Sequence, residues 1–169
     1  QFAAALPVGY SSACEFVDIL LAERIAPGEF LARSRAQQPI GLDIHRVEQV
    51  PLKAPALQSK IRAAEYKVQL WLQGDPADIQ QALHDFLGRE SIMRQRTKKG
   101  RKVGYDLRPL VRDLRYQGCI GAYHELNMLL RCGSRGSGRP EEIIDELGLS
   151  VERYAIRRTK LIWDAREEE

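Results

Sequence analysis

Ala64-Glu65-Tyr66-Lys67-Val68-Gln69-Leu70-Trp71-Leu72, followed by Gln73-Gly74-Asp75-Pro76 and then residues 77–88, is the stretch from which the fold is read. Ala64, Tyr66, Val68, Leu70 and Leu72 alternate with Glu65, Lys67 and Gln69, the period of a strand with one buried face. Asp75 then offers a capping carboxylate, Pro76 takes the first helical position, and Asp78 follows three residues after the cap. Ile79, Leu83, Phe86 and Leu87 form an apolar stripe at helical spacing, and Gly88 is expected to end the helix in the left-handed conformation. A strand that feeds an amphipathic helix points to helices packed on one face of a sheet.

Downstream, residues 92–97 and 102–107 read as two strands joined around Lys99-Gly100, a β-hairpin. Residues 123–131 read as another strand, with Leu126, Met128 and Leu130 inward. A Gly/Ser loop over 133–138 leads to a short helix that Pro140 starts and Gly148 ends, and 154–163 closes the fold as a strand. Upstream, 2–6 and 15–23 read as paired strands and Pro27 opens a helix that stops by Pro39. A strand with a bulge over 42–50 follows, then the rigid connector Pro51-Leu52-Lys53-Ala54-Pro55. The order predicts an α+β protein of two ferredoxin-like (split β-α-β) halves with mainly antiparallel sheets. Residues 1–55 form the first half, lacking its leading strand and helix, and 56–169 the second, with the hairpin inserted. The chain opens without Met and inside a strand, so it is expected to be a piece of something longer.

Composition narrows the function classes. With 44% hydrophobic and 29% charged residues the chain can bury a core, which excludes a disordered segment. No apolar run approaches the roughly 18 residues of a membrane span, and the start lacks the features of a signal peptide, so a cytoplasmic protein is expected. Cys14, Cys119 and Cys132 are widely spaced and odd in number, which argues against a disulfide framework and against an iron–sulfur site in this chain.

Charge distribution is the most informative functional signal. Arg94, Arg96, Lys98, Lys99, Arg101, Lys102, Arg108, Arg112 and Arg115 stand against only Asp106 and Asp113, a local charge of +7 in a chain whose net charge is +3. Alternate strand residues lie ~6.5–7 Å apart on one face, a spacing suited to successive phosphates. Arg94 and Arg96 share such a face, Lys98 can join them, and Arg101 and Lys102 return on the second strand. Arg158 and Lys160 widen the patch if the last strand lies nearby. With only Tyr105 and Tyr116 interleaved, backbone contact is favoured over base stacking. The same charges would serve an acidic protein partner, or blunt a solvated sheet edge.

Other signals are weaker. The Gly133–Gly138 loop lacks a Walker ending, and Glu141 and Glu142 occupy the helix turn after it, so a connector is expected there. His45, His84 and His124 have no metal-ligand spacing, and His124 is expected to be hydrogen-bonded at the core edge. Asp106 is the one weak catalytic candidate, as nucleophile or base among cations, although a role orienting Arg108 is the plainer reading.

Several stretches follow one another in a familiar order: Ala5-Leu6-Pro7-Val8-Gly9, Glu15-Phe16-Val17-Asp18-Ile19, Val50-Pro51-Leu52-Lys53-Ala54-Pro55 and Ala64-Glu65-Tyr66. Arg96-Thr97-Lys98-Lys99-Gly100, Asp106-Leu107-Arg108-Pro109-Leu110 and Arg139-Pro140-Glu141-Glu142 continue the set. Together they resemble the radical-SAM-linked domain of unknown function. The resemblance implies a protein encoded beside, or fused to, a radical SAM protein, near genes for ribosomal proteins and an RNA-processing nuclease. It also implies a missing leading strand and helix. The iron–sulfur cluster and S-adenosylmethionine are then expected in the partner only. The expected function is a non-catalytic accessory domain binding RNA or a ribonucleoprotein. The alternatives are an RNA-modifying enzyme of pseudouridine-synthase-like architecture, by analogy of fold alone, and a protein–protein adaptor.

Overall fold

The computed structural model describes residues 1–98, 100–133 and 136–164, with Lys98 described by its backbone alone. In chain order the elements are β1 (Ser11–Ser12), α1 (Pro27–Ala36), α2 (Leu57–Lys60), β2 (Ile61–Leu72), α3 (Pro76–Gly88) and β3 (Met93–Lys98). They continue with β4 (Arg101–Asp106), a 3₁₀ turn at Arg108–Leu110, β5 (Val111–Ile120), β6 (Tyr123–Arg131), α4 (Pro140–Glu146) and β7 (Val151–Trp163). The class is α+β: a five-stranded mixed sheet in the order β1-β7-β2-β6-β5, and a separate hairpin of β3 and β4.

The alternation in β2 sets the centre of the sheet. Tyr66, Val68 and Leu70 are buried, and β2 pairs antiparallel with both β6 and β7. Leu126, Met128 and Leu130 of β6 and Ile156 and Leu161 of β7 continue the same buried face. The Asp75 carboxylate accepts from Ala77 N–H at 2.8 Å, so α3 starts where its cap and proline require. Its stripe of Ile79, Leu83 and Phe86, with Ile143 and Ile144 of α4, completes one hydrophobic core with the sheet. Gly148 ends α4 with φ near +66°, the left-handed stop expected of it.

Four expectations need correction. The strand β5 is absent from the sequence reading, because register shifts at Val111/Asp113 and Tyr116/Gly118 break its period of two. Residues 2–6 and 15–23 do not form a ladder; a single antiparallel bridge joins Phe2 to Val17, and Val17, Ile19 and Leu21 stay exposed. Residues 42–50 form no strand, so among the described residues 1–55 add only the two-residue β1 to the sheet. Gly88 is the last residue of α3, not a left-handed cap, and Arg89 ends the helix in an extended conformation.

A buried cation helps to hold the N-terminal segment. The Arg158 side chain is 2% exposed. It donates to Ala4 C=O at 3.1 Å, to Ala5 C=O at 3.0 Å and to both oxygens of Glu15 at 2.8 and 3.0 Å. Among the described residues no helix is long and apolar enough to cross a membrane.

Candidate nucleic-acid interface

The hairpin follows from its sequence: alternate positions pair Arg94 with Tyr105, Arg96 with Val103 and Lys98 with Arg101, and Gly100 turns the chain at φ near +76°. Arg94 and Arg96 do share a face, but that face turns onto α4. Arg94 donates to Glu146 Oε1 at 2.9 Å, to Asp145 Oδ2 at 3.1 Å and to Glu142 C=O at 3.2 Å. Arg96 grips Glu142 in bidentate fashion at 2.8 and 2.5 Å, donates to Ser137 C=O at 2.8 Å, and lies 4.1 Å over the Tyr105 ring.

These pairs leave their mark on acidity. The hydrogen bond to Glu142 holds Arg96 above its ordinary value, against the opposing effect of burial. Burial pulls Arg94 down, and the Glu146 and Asp145 carboxylates outweigh it. Burial likewise works against the Glu142 carboxylate, yet Arg96 keeps it below the usual range. Arg94 and Arg96 therefore buttress the hairpin instead of facing solvent.

Arg101 and Lys102 are exposed, and neither has an acidic partner among the described residues. Lys99 lies outside the described residues, as does the side chain of Lys98. Arg108 belongs to the structure of the fold. Its guanidinium donates to Leu87 C=O near the end of α3, at 3.3 and 3.1 Å, and to Val111 C=O at 3.2 Å. Arg115 pairs with Asp113 at 2.8 Å on an exposed surface. Arg158 lies in the core and does not widen the patch, whereas Lys160 is exposed opposite Glu65.

The structure brings Asp106 to two backbone donors, Ile92 N–H at 2.8 Å and Arg108 N–H at 3.0 Å. The first of these bonds leads in holding its carboxyl below the ordinary value. Such a group is a weaker base than a free aspartate, and its oxygen already fixes where β4 enters the 3₁₀ turn. His124 is buried with Nδ1 at 2.8 Å from the Tyr116 hydroxyl, the hydrogen-bonded core-edge position expected. Among the described residues no three His, Cys, Asp or Glu side chains gather as metal ligands.

Two features escape sequence reasoning. One is the buried Arg158–Glu15 pair, whose partners are far apart in the chain. The other is an aromatic corner, with Trp71 and Tyr123 centroids 5.3 Å apart and Arg153 4.2 Å over Trp71. Period two in β2 does place Trp71 opposite the core face, which is the signal that was there to be found. A family model described as an uncharacterized protein conserved in bacteria (DUF2344) matches residues 1–140. No curated protein and no solved structure gives a match.

Proposed function

The chain belongs to this family of uncharacterized bacterial proteins, and we propose that it is a non-catalytic accessory domain that docks RNA, or a ribonucleoprotein surface, on its hairpin. The observation that carries this reading is the division of labour among the cations. Arg94 and Arg96 fasten the hairpin to α4 through Glu142, Asp145 and Glu146, while Arg101 and Lys102 at the far end stay exposed with no acidic partner among the described residues. A rigid arm carrying cations at its tip suits a phosphate backbone, where charge supplies most of the affinity. Lys98 and Lys99 extend the same basic run in the sequence.

The order β7-β2-β6-β5, with α3 between β2 and β5 and α4 between β6 and β7, supports reading residues 56–169 as a ferredoxin-like unit carrying the hairpin as an insertion. Residues 1–55 would then belong to a companion unit. The sequence resemblance supports a radical SAM protein as partner, fused or separate, within the cytoplasm. The iron–sulfur cluster and S-adenosylmethionine would belong to that partner.

Salt-dependent binding of a single-stranded oligoribonucleotide tests the reading. Changing Lys98, Lys99, Arg101 and Lys102 to Glu should abolish it, and changing them to Gln should flatten the slope of log affinity against log salt by about 3, at ~0.7 per lost phosphate contact. Unchanged affinity in the Glu variant would refute the proposal. The protein–protein adaptor is the second reading, favoured by exposed Leu20, Ile40 and Leu52 in the segment before β2. A pull-down that survives nuclease, with no RNA shift at low salt, would select it. The enzyme reading rests on Asp106, whose two backbone bonds speak for a structural role.

A further inference from the structure

A second basic feature is a cleft of about 60 Å³ lined by Arg62, Arg112, Arg131, Cys132, Gly133 and Gly136 among others. Three strands deliver its arginines. Arg131 ends β6 opposite Ala63, Arg62 stands one residue before Ala63 on β2, and Arg112 occupies the register shift between Val111/Leu130 and Asp113/Leu129. The bulge therefore does more than irregularise β5: it adds a cationic residue to the lining of the cleft.

The wall opposite is backbone. Gly133 N–H is satisfied by Ser137 Oγ at 3.2 Å, and Gly138 N–H donates to Arg131 C=O at 2.9 Å. Gly133 has φ near +130°, and a Cβ there would lie 2.8 Å from Ile61 C=O, so only glycine fits this close to β2 at that position. Charge in the cleft is unbalanced. Arg62 is paired with Asp164 and donates to Ser59 C=O at 2.8 Å. Arg112 and Arg131 have no acidic partner among the described residues. Among the described residues three arginines line this small cleft and only Arg62 has a carboxylate partner, so positive charge gathers there and a bound anion would offset it.

We infer that this cleft binds a phosphate group. A planar carboxylate satisfies one guanidinium fork, whereas a tetrahedral oxyanion can accept from several that approach from different strands. The cleft is small, so it would take the anion alone and leave the rest of a larger molecule outside. The inference does not rest on the hairpin reading, since none of these arginines is at the tip. The two features are nevertheless neighbours, because Ser137 accepts Arg96 on its carbonyl while its hydroxyl supports Gly133.

The test is a titration of the ¹⁵N-labelled full chain with inorganic phosphate at constant ionic strength, with chloride as control. Saturable shifts at the Gly133 and Gly136 amides are expected. They should need about 10-fold or more phosphate in the Arg112→Gln/Arg131→Gln protein, each arginine donating charge-assisted bonds to the anion. A thermal melt of that variant guards against misfolding, and Arg112→Lys/Arg131→Lys should retain part of the affinity. Shifts that fail to saturate, that chloride reproduces, or that persist in the Gln variant would overturn the inference. Oligoribonucleotides with and without a 5′-phosphate then identify the source. Preference for the phosphorylated one assigns a terminal phosphate, and equal competition assigns the backbone. Competition by neither, with phosphate itself bound, assigns a small phosphorylated molecule. Hairpin charge reversal should leave phosphate binding intact, which separates this failure from that of the RNA proposal.

Discussion

Replacing Glu142 with Gln tests the buttress under the hairpin most directly. The carboxylate accepts two Arg96 N–H groups at 2.8 and 2.5 Å, and the side chains are 25% and 11% exposed for Arg96 and Glu142. An exposed ion pair contributes about 0.2–1 kcal/mol, and a hydrogen bond to a charged group about 1.5–3 kcal/mol. The geometry here is bidentate and mostly sheltered, but Arg96 keeps a second acceptor in Ser137 C=O at 2.8 Å. The expected coupling between Arg96 and Glu142 in a double-mutant cycle is therefore about 1.5–2.5 kcal/mol. For a domain of this size that corresponds to about 3–10 °C in melting temperature for loss of the interaction. Urea melts of the wild type, Glu142→Gln, Arg96→Gln and the double variant supply the cycle, and hydrogen exchange across β3 and β4 localises the loss. The sign with pH is fixed by the lowered pKa of Glu142: the contribution is complete above its ordinary value of 4.5 and disappears as pH falls through the depressed one. A coupling under about 0.5 kcal/mol, or one that vanishes on raising pH, would refute the buttress and return Arg94 and Arg96 to the surface patch.

Two further predictions concern groups whose roles the structure defines. Arg158→Met should destabilise by about 3 kcal/mol in urea melts, the low end for a broken buried ion pair, because Glu15 remains 26% exposed and can turn to water; an effect below about 1 kcal/mol would show that the N-terminal segment is held by other contacts. Asp106→Ala should lower the melting temperature and speed exchange of the Ile92 and Arg108 amides while leaving RNA affinity unchanged, and an activity lost without either change would revive the catalytic reading.

What the sequence shows and what it hides divide along physical lines. β2, α3 and α4 are legible because local chemistry decides them: strict alternation, an Asp-Pro start, a Pro140 start with a Gly148 stop. Alternation alone misleads at 15–23. Val17, Ile19 and Leu21 have the period of a strand but pair only through the single Phe2–Val17 bridge, and they remain exposed. β5 fails in the opposite way, since two bulges conceal a real strand. In the site, period two correctly puts Arg94 and Arg96 on one face. Which way that face turns depends on Glu142, Asp145 and Glu146, some 46 to 52 residues away, a pairing no local pattern reveals. Arg157 and Arg158 are adjacent and chemically identical, yet one is exposed and the other is enclosed, because the pleat alternates.

The strand order has a consequence for behaviour in crowded solution. One side of the sheet ends at β5, whose outer backbone groups face no neighbouring strand among the described residues, an arrangement that ordinarily invites a second molecule to add on. Here that rim is interrupted by two bulges and carries Arg112, Asp113 and Arg115. Any incoming strand would meet a broken ladder and fixed charge, so self-association through this rim is disfavoured by the same irregularity that hides β5 from pattern reading.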